Sequence, residues 1–483
     1  MKIKDAMVLG AVVGLSATWL PCAHATNSGF LPMGARTGNM GGVGVAFGDD
    51  AAMGLLNPAG LAGVSRGKLS LSLSVYSLEH TEIDGFFARA DAPRYGPNWT
   101  VRDNQLSSTV MRSVPTSIAY AFHFGDRVHH VLGGAILSPR SIKREFDGTL
   151  RADNAELVDQ VGAELLESQD NYYIGPSYAV GFELDDVTLR FGASAFVAYA
   201  TSSRSLTVDI FDGASGGSSY RDQSTQRFTL ADSFDLVGVF GAQFHVGWLR
   251  LGASVQLPSV HLGGRFEESV RSYQAASGTF EAEGAETLSL RLSEGDFQAA
   301  QPLRLGLGVA VDLSAVLLAV DVTVTAARED AERRDGTEVL RSFSEALGGQ
   351  VTETVLSTRR AERSAVNVNA GAEVRFDERW TLRFGGFTDL SVTDLPEPGE
   401  WGPPDLLLDR LDRFGVSAGL GMMIGGSETI LGLSYVRAEG EVIGWDAGNP
   451  DNQSSVRTVR TTANTFALNF SGEVDFKSLI GAE

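Results

Sequence analysis

Cysteine is almost missing from the chain: Cys22 is the only one in 483 residues. A disulfide framework is therefore excluded, and stability has to come from packing and backbone pairing. Long apolar runs are missing as well, since beyond residue 25 nothing approaches the roughly 20 consecutive apolar residues of a membrane-spanning helix. Basic charge is scarce, with 39 Lys plus Arg against 60 Asp plus Glu and a formal net charge of -21. Such a chain repels a phosphate backbone, and no compact basic patch offsets this, so nucleic-acid binding is set aside. Proline is sparse, 15 residues against 56 glycines. The glycines show no period of three, which excludes a collagen-like rod. With 43% hydrophobic and only 20% charged residues, the chain has enough apolar surface to fold, and wholesale disorder is excluded.

What is present begins with an export signal. Lys2 and Lys4 form a positive start, Met7 to Leu20 a short apolar run, and Ala23-His24-Ala25 a small-x-small cleavage pattern. Residues 1–25 read as a secretory signal peptide, and the mature chain is expected to start near Thr26. The competing reading, a lipid-anchored Cys22, calls for a small residue just before the cysteine, where Pro21 stands.

From residue 67 onward, apolar residues alternate with small or polar ones, the pattern of strands with two different faces. Leu303, Leu305, Leu307, Val309 and Val311 share one face, with Arg304, Gly306, Gly308, Ala310 and Asp312 on the other. The same alternation places strands near 67–78, 113–124, 128–138, 171–184, 186–200, 233–246, 248–259, 301–312, 315–327, 364–376, 379–390, 412–424, 428–440 and 457–474. Fourteen is even, and each run reaches the roughly 9–11 residues with which a tilted strand crosses a bilayer. Short connections such as Asp185-Asp186 and Asp377-Glu378 alternate with long ones at 79–112, 139–170, 201–232, 260–300, 328–363, 391–411 and 441–456. That asymmetry is expected of an outer-membrane barrel with short periplasmic turns and long external loops. The fold class is therefore all-β: a fourteen-stranded antiparallel barrel at 67–476, followed by a tail at 477–483.

The polar face favours a barrel over a soluble sandwich. It is rich in Gly, Ser, Ala and Asn, with Arg190, Arg250, Asp321, Glu373, Arg375 and Arg383 as lumen charges facing away from lipid. Four of these arginines, Arg190, Arg250, Arg375 and Arg383, stand beside short turns. They pair with Glu183, Glu373 and Asp235, or else form a site for an anionic ligand. Residues 26–66 are Gly-rich and apolar without alternation, and a barrel of this size needs filling, so this segment is expected to be a plug. Within it, Asp49-Asp50 precede a short helix at Ala51 to Leu56, and Asn57-Pro58-Ala59-Gly60 fits a type I turn.

These residues carry a resemblance. Gly34-Ala35-Arg36, Met40-Gly41-Gly42, Ala46, Asp50-Ala51 and Asn57-Pro58-Ala59-Gly60-Leu61-Ala62 resemble the N-terminal hatch signature of the FadL/TodX family of outer-membrane transporters for hydrophobic compounds. Trp380-Thr381-Leu382-Arg383, followed by Asp389-Leu390-Ser391-Val392, resembles the family's late strand and turn. The resemblance implies a hatch involving Arg36, Met40, Gly41, Gly42, Asn57, Pro58, Ala59 and Gly60 inside the barrel. It also implies passive uptake of long-chain fatty acids or aromatic hydrocarbons: capture on external loops, binding near the hatch and sideways exit at a kinked third strand facing the Asn-Pro-Ala turn. That strand holds Gly133-Gly134, which serve either as the weak point of the ladder or as room for the plug. The expected surroundings are outer-membrane lipid and lipopolysaccharide of a Gram-negative bacterium, with the protein a monomer.

No catalytic constellation, metal site or cofactor motif stands out. His129 and His130 are adjacent on a strand and face opposite sides, and no nucleophile elbow is present. The acidic residues Glu281, Glu283, Glu286, Glu294 and Asp296 read as a solvated face, with calcium capture as the sharper alternative. Two other function classes stay open: a partner-binding barrel in protein secretion or surface attachment, and a lipid-modifying enzyme.

Overall fold

A computed structural model describes residues 34, 36–48, 50–64, 67–88, 100–125, 128–153, 157–214, 220–277, 287–344, 348–395, 408–424, 427–445 and 456–475. The expected signal peptide, the tail at 477–483 and Glu281, Glu283 and Glu286 lie outside the described residues. Among the described residues there are eighteen strands in one antiparallel sheet. They are β1 Lys68–Asp84, β2 Thr100–Phe124, β3 Val128–Asp153, β4 Leu157–Leu184, β5 Val187–Ala214, β6 Tyr220–Val246, β7 Leu249–Gln256, β8 Val260–Ser277 and β9 Thr287–Ala299. The rest are β10 Arg304–Asp312, β11 Val316–Thr325, β12 Arg328–Ser344, β13 Gly348–Glu362, β14 Ala365–Arg375, β15 Trp380–Asp389, β16 Asp409–Ile424, β17 Ser427–Trp445 and β18 Val456–Asp475.

Four pairs of these are single staves with a short break: β7 with β8, β9 with β10, β11 with β12, and β13 with β14. β6 pairs with both β7 and β8, and β11 pairs with β14 while β12 pairs with β13. Counting each pair once leaves fourteen staves. The breaks adjoin one another, tied by Ser259 N donating to Gln301 O at 3.0 Å and Ala326 N to Leu303 O at 2.9 Å. Pro258 and Pro302 fall inside two of them, where a residue without an N–H cannot continue the ladder. The sheet closes because β1 pairs with β2 on one side and with β18 on the other. Closure removes the edges of the barrel itself, while beyond it β13 pairs with β12 alone over 348–361 among the described residues.

Side-chain alternation follows the sequence reading. Leu305 and Leu307 are 45% and 65% exposed on the outside, while Gly306 and Gly308 face inward against the plug. Phe122, Phe240, Phe384, Val416 and Phe466 are also exposed, giving an apolar outer surface suited to lipid.

One expectation is corrected. The segments at 139–170, 201–232 and 328–363 are not loops but strand: β4 and β5 run for 28 residues each, with only 154–156 and 215–219 outside the described strands at their far turns. At about 3.3 Å per residue they reach about 90 Å, far beyond a hydrocarbon core of about 30 Å. Polar residues outnumber apolar ones in these stretches, yet the ladder runs on, because each extended hairpin satisfies its own backbone groups. Glu294 and Asp296 belong to β9, opposite Thr337 and Asp335 of β12.

Candidate functional site: hatch, charge belt and a gap in the wall

Residues 36–48 and 50–64 lie inside the barrel, with three short 3₁₀ turns, Thr37–Met40, Ala51–Gly54 and Pro58–Gly63. Met40, Val43, Ala46 and Phe47 pack on Ala310, Leu317 and Ala319. Met53, Leu55 and Leu61 pack on the opposite wall against Ala121, Val131, Phe196 and Val237. Gly41 and Gly42 take φ of 72° and 80°, the left-handed region where a side chain is costly. Gly41 N donates to Ser417 Oγ at 2.9 Å, so the turn is fastened to β16.

Asn57 and Pro58 form the expected turn, closed by Gly60 N donating to Asn57 O at 2.9 Å. Asn57 is fully buried, and its side chain makes three further bonds. Its Nδ2 donates to Val45 O at 2.6 Å and Ala242 O at 3.2 Å, and its Oδ1 accepts from Ala59 N at 3.1 Å. The turn faces β5 and β6, not the third strand: Gly192 lies against the Pro58 backbone and Gly241 against the Asn57 side chain, with no room for a Cβ at either. Leu61, further along, is the residue that reaches Gly133.

Four of the lumen charges, Arg250, Glu373, Arg375 and Arg383, form a connected belt with Arg36 near the short turns. Arg36 grips Glu373 through both carboxylate oxygens, at 2.8 and 2.9 Å, and its guanidinium lies 5.0 Å over the Phe47 ring. Glu373 also accepts from Arg375 at 2.9 Å and Arg383 at 2.8 Å, and Arg383 continues to Glu428 at 2.7 Å. Arg375 and Arg250 share Asp312, while Arg190 donates to Gln243 Oε1 at 3.5 Å. Arg250, Arg375 and Arg383 are thus ion-paired, with Asp312 and Glu428 as partners the sequence did not reveal. The expected partners Glu183 and Asp235 instead face histidines, His129 at 3.6 Å and His261 at 3.4 Å. Asp321 stands apart from the belt and holds backbone instead of side chains. Its Oδ2 accepts Gly44 N at 2.6 Å and Val45 N at 2.9 Å, pinning the hatch to β11.

Gly133 and Gly134 do not interrupt the ladder. They pair with Ala121 and Tyr120 of β2, and with Ser177 and Pro176 of β4. The Tyr120 ring covers Gly134 from outside. The interruption lies further up the strand. The β2–β3 register runs to Ser117 opposite Leu137 and resumes at Ser107 opposite Asp147, and no backbone pair is found between 108–116 and 138–146 among the described residues. The unchanged register places Pro115 directly across from Pro139. Neither proline can donate a backbone hydrogen bond. The neighbouring ladders are irregular at the same level, with shifts between Ser72 and Leu73 and between Ser74 and Ser77 in β1, and between Leu137 and Arg140 in β3. On the lumen side of the gap Val110, Ile142 and Phe146 are buried, and on the outer side Met111 is 63% exposed.

Above the hatch, Phe86 and Phe87 turn into the barrel and meet edge to face, with centroids 5.0 Å apart. They pack with Leu106, Phe146, Leu150 and Trp445 as an apolar stopper. Asn104 holds this segment, accepting Phe87 N and Ala88 N at 3.1 Å each. The sequence showed neither the stopper nor His123 coming within 3.0 Å of His129 across the turn at Gly125.

No family model matches the sequence, and no curated protein matches it. Solved structures do. A FadL homologue of Pseudomonas aeruginosa aligns with a TM-score of 0.55 at 15% identity, over 93% of this chain and 100% of that one. The fold is FadL-like. The CymD monoaromatic hydrocarbon channel aligns at 0.51 and 15% identity, over 94% and 99% of the two chains. The toluene transporter TodX of P. putida aligns at 0.51 and 14% identity, over 92% and 99%.

Proposed function

We propose that this FadL-like barrel sits in the outer membrane of a Gram-negative bacterium, after removal of residues 1–25, and passes hydrophobic small molecules inward without an energy source. Long-chain aliphatic or aromatic compounds are captured among the extended external hairpins, enter the lumen beside the Phe86-Phe87 stopper, and leave sideways between β2 and β3. The observation that carries this reading is the nine-position gap on each strand between two ladder segments of the same register, at the level of Pro115 and Pro139. A hydrophobic solute gains by moving from lumen to lipid and loses by entering periplasmic water, so an opening in the wall suits it better than a pore along the axis. The hatch, pinned by Asp321 and Glu373, blocks the axial route. The names of similar structures, hydrocarbon channels and a toluene transporter, support the same substrate class.

The test is to restore the missing donors. Pro115→Val with Pro139→Val should allow ladder bonds across the gap, since valine favours a regular strand. Uptake of radiolabelled toluene and oleate is expected to fall at least about tenfold at equal surface abundance, because passage then requires breaking several backbone bonds. Undiminished uptake by the assembled double variant would rule out the sideways exit and favour a barrel that binds a protein partner.

A further inference from the structure

Above the barrel rim, β13 ends the sheet. Over 348–361 it pairs with β12 alone among the described residues, and the bridge from Glu362 to Thr393 marks where its other side stops being covered. The β12–β13 register is regular from Glu332 to Ser344, so the free side is an unbroken row of backbone N–H and C=O groups. Natural edges are usually blunted by proline, lysine or a bulge. Between Gly348 and Thr358 there is no proline and no lysine, and Glu353 is the single charge. The chain at 394–407 is too short to cover the upper half of this edge. Out and back it reaches about 25 Å at most, whereas Val351 lies about 36 Å up the strand from Glu362. Lower down, Pro396, Pro398, Pro403 and Pro404 deny it the N–H groups of a continuous ladder.

The face beside that edge is apolar. Leu356 packs with the buried Phe266 and Phe297 on the inner side, so Val351, Glu353 and Val355 point outward. Val351 and Val355 are 71% and 86% exposed. The same outer face continues across the sheet, where Gly349 stands opposite Phe343, Phe343 opposite Leu288 and Leu288 opposite Tyr273. Those three large side chains are exposed. Phe343 is about 50 Å along the strand from Arg328 at the rim, which even at a tilt of about 45° stands clear of the hydrocarbon. Lipid therefore does not cover this patch, and an exposed apolar patch in water marks a protein contact.

We propose that the free edge of β13 takes up one extended segment of another protein, added to the collar as a further antiparallel strand. Only a polypeptide backbone completes a ladder, which sets lipid and glycan aside. A second copy of this chain fits poorly. In the same membrane its β13 points the same way, and two-fold pairing then sets Glu353 beside Glu353 and Arg359 beside Arg359. A foreign strand is free to run antiparallel, with a cation opposite Glu353, an anion opposite Arg359 and β-branched residues opposite Val351 and Val355. The proposal stands apart from the uptake reading, and its test reads binding alone.

The probe is a fluorescein-labelled peptide, Glu-Thr-Val-Thr-Val-Thr-Lys-Thr-Val, titrated by anisotropy against the full chain in lipid nanodiscs, with empty nanodiscs as the blank. Saturable binding is expected below about 1 mM. Only alternate N–H groups of the added strand point at β13, so methylating the backbone nitrogens of one alternate set should weaken binding at least about tenfold and methylating the other set should not. Glu353→Lys, at an exposed position, should weaken the peptide at least about threefold, and exchanging the peptide's Lys for Glu should recover the loss. No saturable binding, equal binding by the two methylated peptides, or a loss in Glu353→Lys that the exchanged peptide does not recover would overturn the proposal. So would a disulfide-linked dimer of Glu353→Cys that excludes the peptide, which would assign the edge to a second copy.

Discussion

Glu373 is where the hatch is fastened. It is 2% exposed and meets Arg36, Arg375 and Arg383 together. Glu373→Gln should break the ion pair that holds Arg36, while Arg375 keeps Asp312 and Arg383 keeps Glu428, and destabilise the docked hatch by about 3–5 kcal/mol, the usual cost of breaking a buried ion pair. The expected readouts are a higher single-channel conductance and faster protease nicking within 36–64, with the heat-modifiable gel shift of the barrel retained. Unchanged conductance would show that the belt does not hold the hatch. Gly192 offers an independent check, because an added Cβ meets the Pro58 backbone, which cannot swing aside like a side-chain tip. Gly192→Ala should cost about 1–3 kcal/mol by overpacking and loosen the Asn57-Pro58 turn. Gly247 has nothing near its added Cβ, although its φ of 55° carries a separate backbone strain. The hatch residues were legible because turn and left-handed positions demand Asn, Pro and Gly. Their partners were not, since nothing local to Glu373 or Gly192 shows that residue 36 or 58 will lie against it.

At the scale of strands, alternation read the membrane-spanning parts well and their continuation poorly. The apolar face that marks a strand ends where lipid ends, so the polar hairpins beyond it looked like loops. Gly133-Gly134 drew attention because glycine weakens a ladder in general, yet here Tyr120 covers one and Leu61 lies near the other, and pairing holds. The decisive pair, Pro115 and Pro139, carries a signal only once the register is known. The extended hairpins have their own electrostatics. Burial pushes the Glu332 carboxyl up, but Arg360 and Arg334, at 3.5 and 2.9 Å, reverse this and hold it below the ordinary carboxylate value. A carboxyl lowered in the folded state contributes stability above its unfolded value, and that contribution is lost as pH falls through the folded one. Pepsin nicking within β12 and β13 should therefore rise below about pH 4, and Glu332→Gln should flatten that rise. An equal rise in the variant would assign the acid sensitivity to other groups.

For the whole molecule, three features act together: a closed barrel with an apolar exterior, a lumen filled by the hatch and the Phe86-Phe87 stopper, and a long gap in the ladder between β2 and β3. Closure should make the barrel resistant to detergent, and labels at the exposed Asp84 and Glu353 should be reachable from outside intact cells while labels at Asp185 should require a permeabilised membrane. The central claim is that solutes leave through the gap, and it can be tested by blocking that opening alone. With Cys22 inside the expected leader, Met111→Cys places a single thiol at the gap, and Leu433→Cys, 61% exposed at the wild-type residue, places one elsewhere on the outer wall. After reaction with a bulky maleimide, uptake of radiolabelled toluene should fall at least about fivefold for the Met111→Cys protein, given a blocked exit, and stay at the unlabelled rate for the Leu433→Cys protein. Equal uptake by the two labelled proteins would contradict the account.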